Sequence, residues 1–243
     1  KDNEQALAKE CLNKIPYYNG LISEVVDHKN AYLETKNEIN TFGFSNTSFL
    51  IKNQLEAQID PGLMIKKLIA KAVSLGVVVL NNCEVKEIRQ ESNGVILETN
   101  QGLFNTEKVL LSTNAFIKKL VPELQLTPGR GQVMVTKPIK NLKVKGTFHY
   151  DKGYYYFRNI DDRILLGGGR NLNFEAEETT EFGETNLVQD ALQKLLNEVI
   201  LPNIPFEIEH KWSGIMGFGP QLEPIIEQIR PAIFCAVRCN GMG

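Results

Sequence analysis

The spacing of apolar residues changes character near the middle of the chain, and that change predicts two kinds of architecture. Leu7, Cys11, Ile15, Tyr18, Ile22 and Val25 recur at three- and four-residue steps, the signature of a helix over residues 6–28. Pro16 lies in its middle and predicts a break or a kink. A second helix is predicted where Asp60 caps, Pro61 takes the first helical position and Gly76 closes the last turn. Its buried stripe is read as Leu63, Ile65, Leu68, Ile69, Ala72 and Val73. Short apolar runs at 77–80 and 83–89 read as strands. Asn93 and Gly94 signal a hairpin into the alternating run 95–99, and a turn at 100–102 leads to a buried strand at 109–111. This is a helix feeding a covered sheet.

From Pro128 the texture differs. "GRGQVMVTKPI", "GTFHY", "GYYYFRN" and "DRILLGGGR" are strand-like pieces parted by Gly, Asn and Asp, with no helix long enough for a parallel crossover. A helix is predicted over about 184–199, and "EIEHKWSGIMGFGPQLEPII" then returns toward a last strand in "RPAIFCAVRCNGMG". The reading is an α/β domain made of residues 1–127 and 208–243. A mainly antiparallel α+β domain at 128–207 interrupts it.

Composition narrows the function class. A 243-residue chain that is 42% hydrophobic can bury one sizeable core or two modest ones. Lys and Arg total 27 against 29 Asp and Glu, without a basic block, which argues against a nucleic-acid partner. The apolar runs are too short for a membrane span and no secretory leader opens the chain, so a cytoplasmic setting is expected. Cys11, Cys83, Cys235 and Cys239 have neither disulfide-scaffold density nor zinc spacing, and are read as buried small side chains. His28, His149 and His210 are too far apart in sequence to suggest a metal centre.

Three stretches carry candidate chemistry. Asn240, Gly241, Met242 and Gly243 form a Gly-rich turn after an apolar strand, where free N–H groups can face a phosphate, a carboxylate or a ring carbonyl; a plain tight turn reads the same way. "GGGR" at 167–170 also follows a strand, but no helical pattern comes behind it, so it is not read as a phosphate loop. In "GYYYFRN", Tyr154, Tyr156 and Arg158 share one strand face and Tyr155 and Phe157 the other. Arg158 offers a donor fork for a carboxylate, and the structural alternative pairs it with Asp161 or Asp162. Arg130 and Gln132 share a face in "TPGRGQVMV"; Trp212 reads as core more readily than as a pocket wall.

Taken in order, "QIDPGLMIKKLIAKAVSLGVVVLNNCEVKEI", "VLLSTNAF", "YYYFRNIDDRILLGGGR" and "WSGIMGFGPQLEPII…FCAVRCNGMG" resemble the FAD-dependent amine and amino-acid oxidoreductases. D-amino-acid oxidase, glycine oxidase and sarcosine oxidase belong to that family. The resemblance implies an incomplete Rossmann-like, FAD-binding-type domain carrying an inserted substrate domain. It also implies noncovalent FAD and hydride transfer from a small amine or amino acid to flavin N5, giving an imine. It places Val85, Thr113, Asn114, Ala115, Arg130, Arg238, Asn240, Gly241, Met242 and Gly243 near the cofactor, and Tyr156, Arg158 and Arg238 near the substrate. Met216 stands where glycine-oxidase-like members carry a carboxylate-binding arginine. The family's glycine-rich phosphate loop is expected before Lys1 and its closing helix after Gly243. The activity is therefore expected of a longer parent protein, with free FAD held poorly by this chain. Alternatives are a dehydrogenase, a cofactor- or tRNA-biosynthetic member of the family, and a non-catalytic binding module.

Overall fold

A computed structural model describes residues 2–241, with side chains from residue 5 onward. In chain order the elements are α1 (Asp2–Ser23), β1 (Tyr32–Glu34), α2 (Ile39–Phe42), β2 (Ile51–Asn53), α3 (Pro61–Ser74), β3 (Val85–Glu91), β4 (Gly94–Thr99), β5 (Gly102–Thr106) and β6 (Val109–Leu111). After a 3₁₀ segment (Asn114–Lys119) come β7 (Thr127–Thr136), β8 (Thr147–Tyr150), β9 (Tyr155–Ile160), β10 (Arg163–Gly168), α4 (Asn186–Leu195), β11 (Ile208–Phe218), β12 (Ile225–Arg230) and β13 (Ile233–Val237). The sheets are open and four in number among the described residues: β1-β2, β11-β7-β10-β9-β8, β12-β13-β6 and β3-β4-β5. The fold is α/β.

Contacts divide the chain into one unit of residues 1–59, 133–169 and 185–211, and a second of 60–132, 170–184 and 212–243. This grouping differs from the sequence-based boundaries. Residues 1–59 cluster with the antiparallel segments, and the cuts at 132/133 and 211/212 fall inside long strands, β7 and β11.

In the first unit, the helix expected over about 184–199 forms as α4 and the π turn after it (Leu196–Ile200), which bury Val188, Leu192, Leu195, Leu196, Val199 and Ile200 and leave Leu187 exposed. Met134, Ile164 and Leu166 belong to the same core. Phe148 and Phe157 are cross-strand partners stacked at 4.8 Å, with Phe44 edge-on to both. Helix α1 runs through Pro16 without ending, a correction to the expected break. Pro removes one N–H from the ladder, and the flanking turns keep theirs. Asn19 pins this helix to β1, donating to the Tyr32 carbonyl at 2.9 Å and accepting from its N–H at 2.8 Å.

In the second unit, Asp60 caps α3 by accepting from the Leu63 N–H at 2.9 Å, with Pro61 first in the helix, as read from sequence. Its stripe is not buried. Leu63, Ile65, Leu68, Ile69 and Val73 are between 47% and 58% exposed, because no described element packs on that face. Residues 77–80 are likewise exposed and form no strand. Among the described residues no neighbour takes up their ladder hydrogen bonds. The core lies instead under β6 and β13, where Val109, Leu111, Ile233, Cys235 and Val237 meet Ala115, Ile117, Val121, Leu124 and Leu126. Of the cysteines only Cys235 is buried, and burial raises its thiol pKa; Cys11 is exposed. Trp212 is also exposed, since it alternates outward on β11.

Gly168 tests the first unit. Its φ of 120° is closed to other residues, and an added Cβ meets the Tyr154 carbonyl oxygen at 2.0 Å. Gly168→Ala is expected to cost roughly 3 kcal/mol or more in urea denaturation. Gly214→Ala, which meets nothing within 4 Å, should stay within about 0.5 kcal/mol of the parent.

Candidate functional site

Two parallel strands build the site. β13 pairs with β6 in the register Ile233↔Val109, Phe234↔Leu110 and Cys235↔Leu111, so both chains leave the sheet at the same end. The carboxyl ends of parallel strands are where open α/β sheets place their ligands. β6 runs on through Ser112 into Thr113, the cap of the 3₁₀ segment, then Asn114 and a fully buried Ala115. β13 runs into Arg238, Cys239, Asn240 and Gly241. The turns are tied where Asn114 Oδ1 accepts the Arg238 N–H at 3.1 Å.

Left-handed backbone shapes this end of the sheet: φ is 43° at Asn114, 66° at Arg238, 50° at Asn240 and 74° at Gly241. Asn and Gly adopt it readily, whereas Arg238 adopts it under constraint. The constraint is visible. Arg238 is buried, donates from Nε and Nη2 to the Glu223 carbonyl at 3.1 and 2.8 Å, and lies where a Cβ on Gly219 would be. Asn240 accepts from the Gly219 N–H at 3.0 Å and donates to the Gln221 and Leu222 carbonyls at 2.8 and 3.0 Å. Gly241 is exposed, and no acceptor faces its N–H among the described residues. A bare, left-handed N–H at a sheet end suits an electron-rich oxygen.

A second surface follows from alternation on β7 and β11. Ile215 packs on the β6/β13 core and Gly217 lies against Asn114 and Leu126, so Met216 and Phe218 point to the other face. Opposite them are glycines. A Cβ on Gly131 would meet Met216 Cε at 2.7 Å, and one on Gly129 would meet the Phe218 ring at 2.5 Å. Met216 also reaches the terminal turn, with its sulfur 3.8 Å from the Cβ position of Gly241. Arg130 and Gln132 take the alternate positions and both hold Glu177: Arg130 Nε donates to one oxygen at 2.8 Å, and Gln132 Nε2 to the other at 2.9 Å. The hydrogen bond from Arg130 to Glu177 raises the arginine pKa.

The sequence model for FAD dependent oxidoreductases (DAO) matches residues 44–243. The chain belongs to this family. It is 30% identical over 131 residues to N-methyl-L-tryptophan oxidase of Escherichia coli (strain K12 / DH10B), a match covering 50% of this chain and 35% of that protein. The chain thus spans little over a third of the curated relatives' length. Its fold is similar to L-proline dehydrogenase from P. horikoshii (TM-score 0.72, 21% identity, 87% of this chain and 60% of that one). Glycine oxidase from Geobacillus kaustophilus gives a TM-score of 0.72 at 20% identity, covering 86% and 57%. L-amino acid deaminase from Proteus vulgaris, lacking its specific insertion, gives 0.69 at 15%, covering 94% and 60%. These likenesses show the Rossmann-like fold.

Of the residues singled out from sequence, Thr113, Asn114, Ala115, Arg238, Asn240 and Gly241 come together at the end of β6 and β13. Met242 and Gly243 lie outside the described residues. Val85 opens β3 in a different sheet, which reaches the shared core through Ile88 and Leu97. Arg130 is bound by Glu177, a residue that the run "EAEE" gave no reason to single out. In the first unit, Tyr155 and Phe157 face the core, as alternation required, while Tyr156 faces outward across Gly167. Tyr156 stays 37% exposed, and partial desolvation over Gly167 raises its phenol pKa, which keeps it a hydroxyl donor. Arg158 donates to the Ile59 carbonyl rather than to Asp161 or Asp162. Among the described residues no group of His, Cys, Asp or Glu is arranged to hold a metal, and no helix is long and apolar enough to cross a membrane.

Glu177 is 1% exposed in its side chain and Arg130 12%. Removing one member of such a pair leaves an uncompensated charge, so Glu177→Ala should lower stability by roughly 3–5 kcal/mol in denaturant titration.

Proposed function

We propose that the protein containing this chain is an FAD-dependent oxidase or dehydrogenase of small amines or amino acids. The observation that carries it is the joined pair of turns at the ends of β6 and β13, within a family of FAD dependent oxidoreductases. The N-methyl-L-tryptophan oxidase, L-proline dehydrogenase and glycine oxidase relatives act on amino acids by name, which favours that substrate class. When bound, FAD would supply the two-electron acceptor for oxidation of the substrate's carbon–nitrogen bond to an imine.

The chain's own residues would hold and orient. Gly241 would offer its N–H to the cofactor, at a backbone shape that Asn240 fixes through three hydrogen bonds. Thr113, Asn114 and Ala115 form the adjoining floor, and the Asn114–Arg238 bond keeps floor and turn in register. Tyr156 and Arg158 are the proposed substrate-side groups of the first unit: a neutral hydroxyl donor and a cation. Val85, Arg130, Met242 and Gly243 complete the proposed cofactor set. The division into a cofactor-binding part (1–127, 208–243) and a substrate-binding part (128–207) belongs to the same proposal.

The test is the absorption spectrum of protein expressed from its complete reading frame. A flavin spectrum after reconstitution with FAD is expected; a colourless, folded protein overturns the reading. Asn240→Ala should weaken FAD about tenfold, the equivalent of about 1.4 kcal/mol, by releasing the Gly241 turn.

A further inference from the structure

We propose that Arg170 is the residue that binds the substrate's carboxylate, a role that Met216 cannot fill; this rests on the amino-acid reading above. The chain has seven arginines, and all lie among the described residues. Six have an acceptor. Arg89, Arg130, Arg163 and Arg230 pair with carboxylates, and Arg158 and Arg238 with backbone carbonyls. The Arg170 guanidinium alone has no hydrogen bond or ion pair among the described residues, and its Nε is buried without a partner.

Rings hold Arg170 in place. Its guanidinium carbon lies 4.2 Å from the Phe218 ring centroid and 5.1 Å from that of Phe174. Stacking of this kind positions the planar cation while using none of its N–H donors. The packing demands a glycine opposite: a Cβ on Gly129 would meet both the Phe218 ring and Arg170 Nε, the latter at 2.8 Å. Burial lowers the Arg170 pKa, and the charges of Glu178 and Glu177 offset this in part, but the Glu177 oxygens are bound by Arg130 and Gln132. An oriented cation thus keeps its donor fork for an anion from outside. The neighbouring Asn171 Oδ1 is also buried without a donor, so one turn carries an unmet donor and an unmet acceptor. An amino acid presents the complementary pair.

Location supports the assignment. Phe218 follows Met216 by two residues on one face of β11, a step of roughly 7 Å. Met216 touches the terminal turn at Gly241 and fills its position with a thioether, which cannot pair with a carboxylate. The stacked cation thus lies one strand step along the face that meets the Gly241 turn.

The experiment uses protein from the complete reading frame, as wild type, Arg170→Met and Arg170→Lys. Saturation-transfer NMR reads binding of acetate and of neutral acetamide, with flavin content measured separately by absorbance. Acetate affinity is expected to fall at least 30-fold in Arg170→Met and about tenfold in Arg170→Lys, with acetamide unchanged. Turnover should follow, KM rising for amino acids and not for their decarboxylated amines. Acetate binding within threefold of wild type in a folded variant, or equal loss for acetamide, overturns the proposal. Should Arg170→Met not fold, the same criteria apply to Arg170→Lys, which keeps the charge but loses the fork. Absent flavin with an intact acetate effect defeats the functional reading and leaves Arg170 as a carboxylate site without the substrate role; normal flavin without the effect overturns the Arg170 proposal alone.

Discussion

The parallel pairing of β13 with β6 is the constraint on which the candidate site depends. It brings together two turns, and the Asn114–Arg238 hydrogen bond that joins them spans 124 residues of sequence. Neither turn is stable in its shape alone, since each includes non-glycine residues at positive φ. The sheet beneath supplies the compensation. Alternate residues of β13 (Ile233, Cys235 and Val237) are buried against the 3₁₀ segment that follows β6, so core packing and turn geometry are set by one register. A slip of one residue would turn that face outward and separate Arg238 from Asn114.

Local signals were legible in the sequence. Asp60 and Pro61 announced the start of α3, Asn93 and Gly94 the β3–β4 hairpin, and the run at about 184–199 the last helix. Each depends on neighbours within a few positions. Burial of the α3 stripe depends on another element, which periodicity cannot supply, and so Leu68 was assigned inward yet stands exposed. The run 77–80 shows the same limit for a strand: apolar and β-branched residues favour extension, but pairing requires a partner edge. Pro16 illustrates the reverse. Its local effect was predictable, and its consequence for the helix was not.

Side-chain partners were the least legible part of the site. Alternation on β9 correctly separated Tyr155 and Phe157 from Tyr156 and Arg158. It said nothing of the Ile59 carbonyl, about a hundred residues earlier, that accepts from Arg158. On β7, Arg130 and Gln132 were read to share a face, and they do; the carboxylate between them lies in a loop with no pattern of its own. Distinguishing a structural arginine from an available one requires knowing its acceptor, and acceptors here are mostly distant in sequence.

That distinction also explains why glycine is so frequent along β7 and β11. Gly129 and Gly131 face Phe218 and Met216, and any side chain at either position would displace the ring or the thioether. Glycine in a strand ordinarily weakens it, by about 0.5–1 kcal/mol relative to Ala. Here the missing Cβ atoms let two large side chains lie flat across the strand, and one of those rings carries Arg170. On the other face Gly217 does the same for Asn114, whose oxygen approaches the Cβ position at 2.6 Å. The strands give up propensity so that bulky and polar groups can approach the backbone closely from both sides. Close approach of this kind brings the Phe218 ring that carries Arg170 and the Met216 thioether onto one face, with Met216 reaching the turn at Gly241.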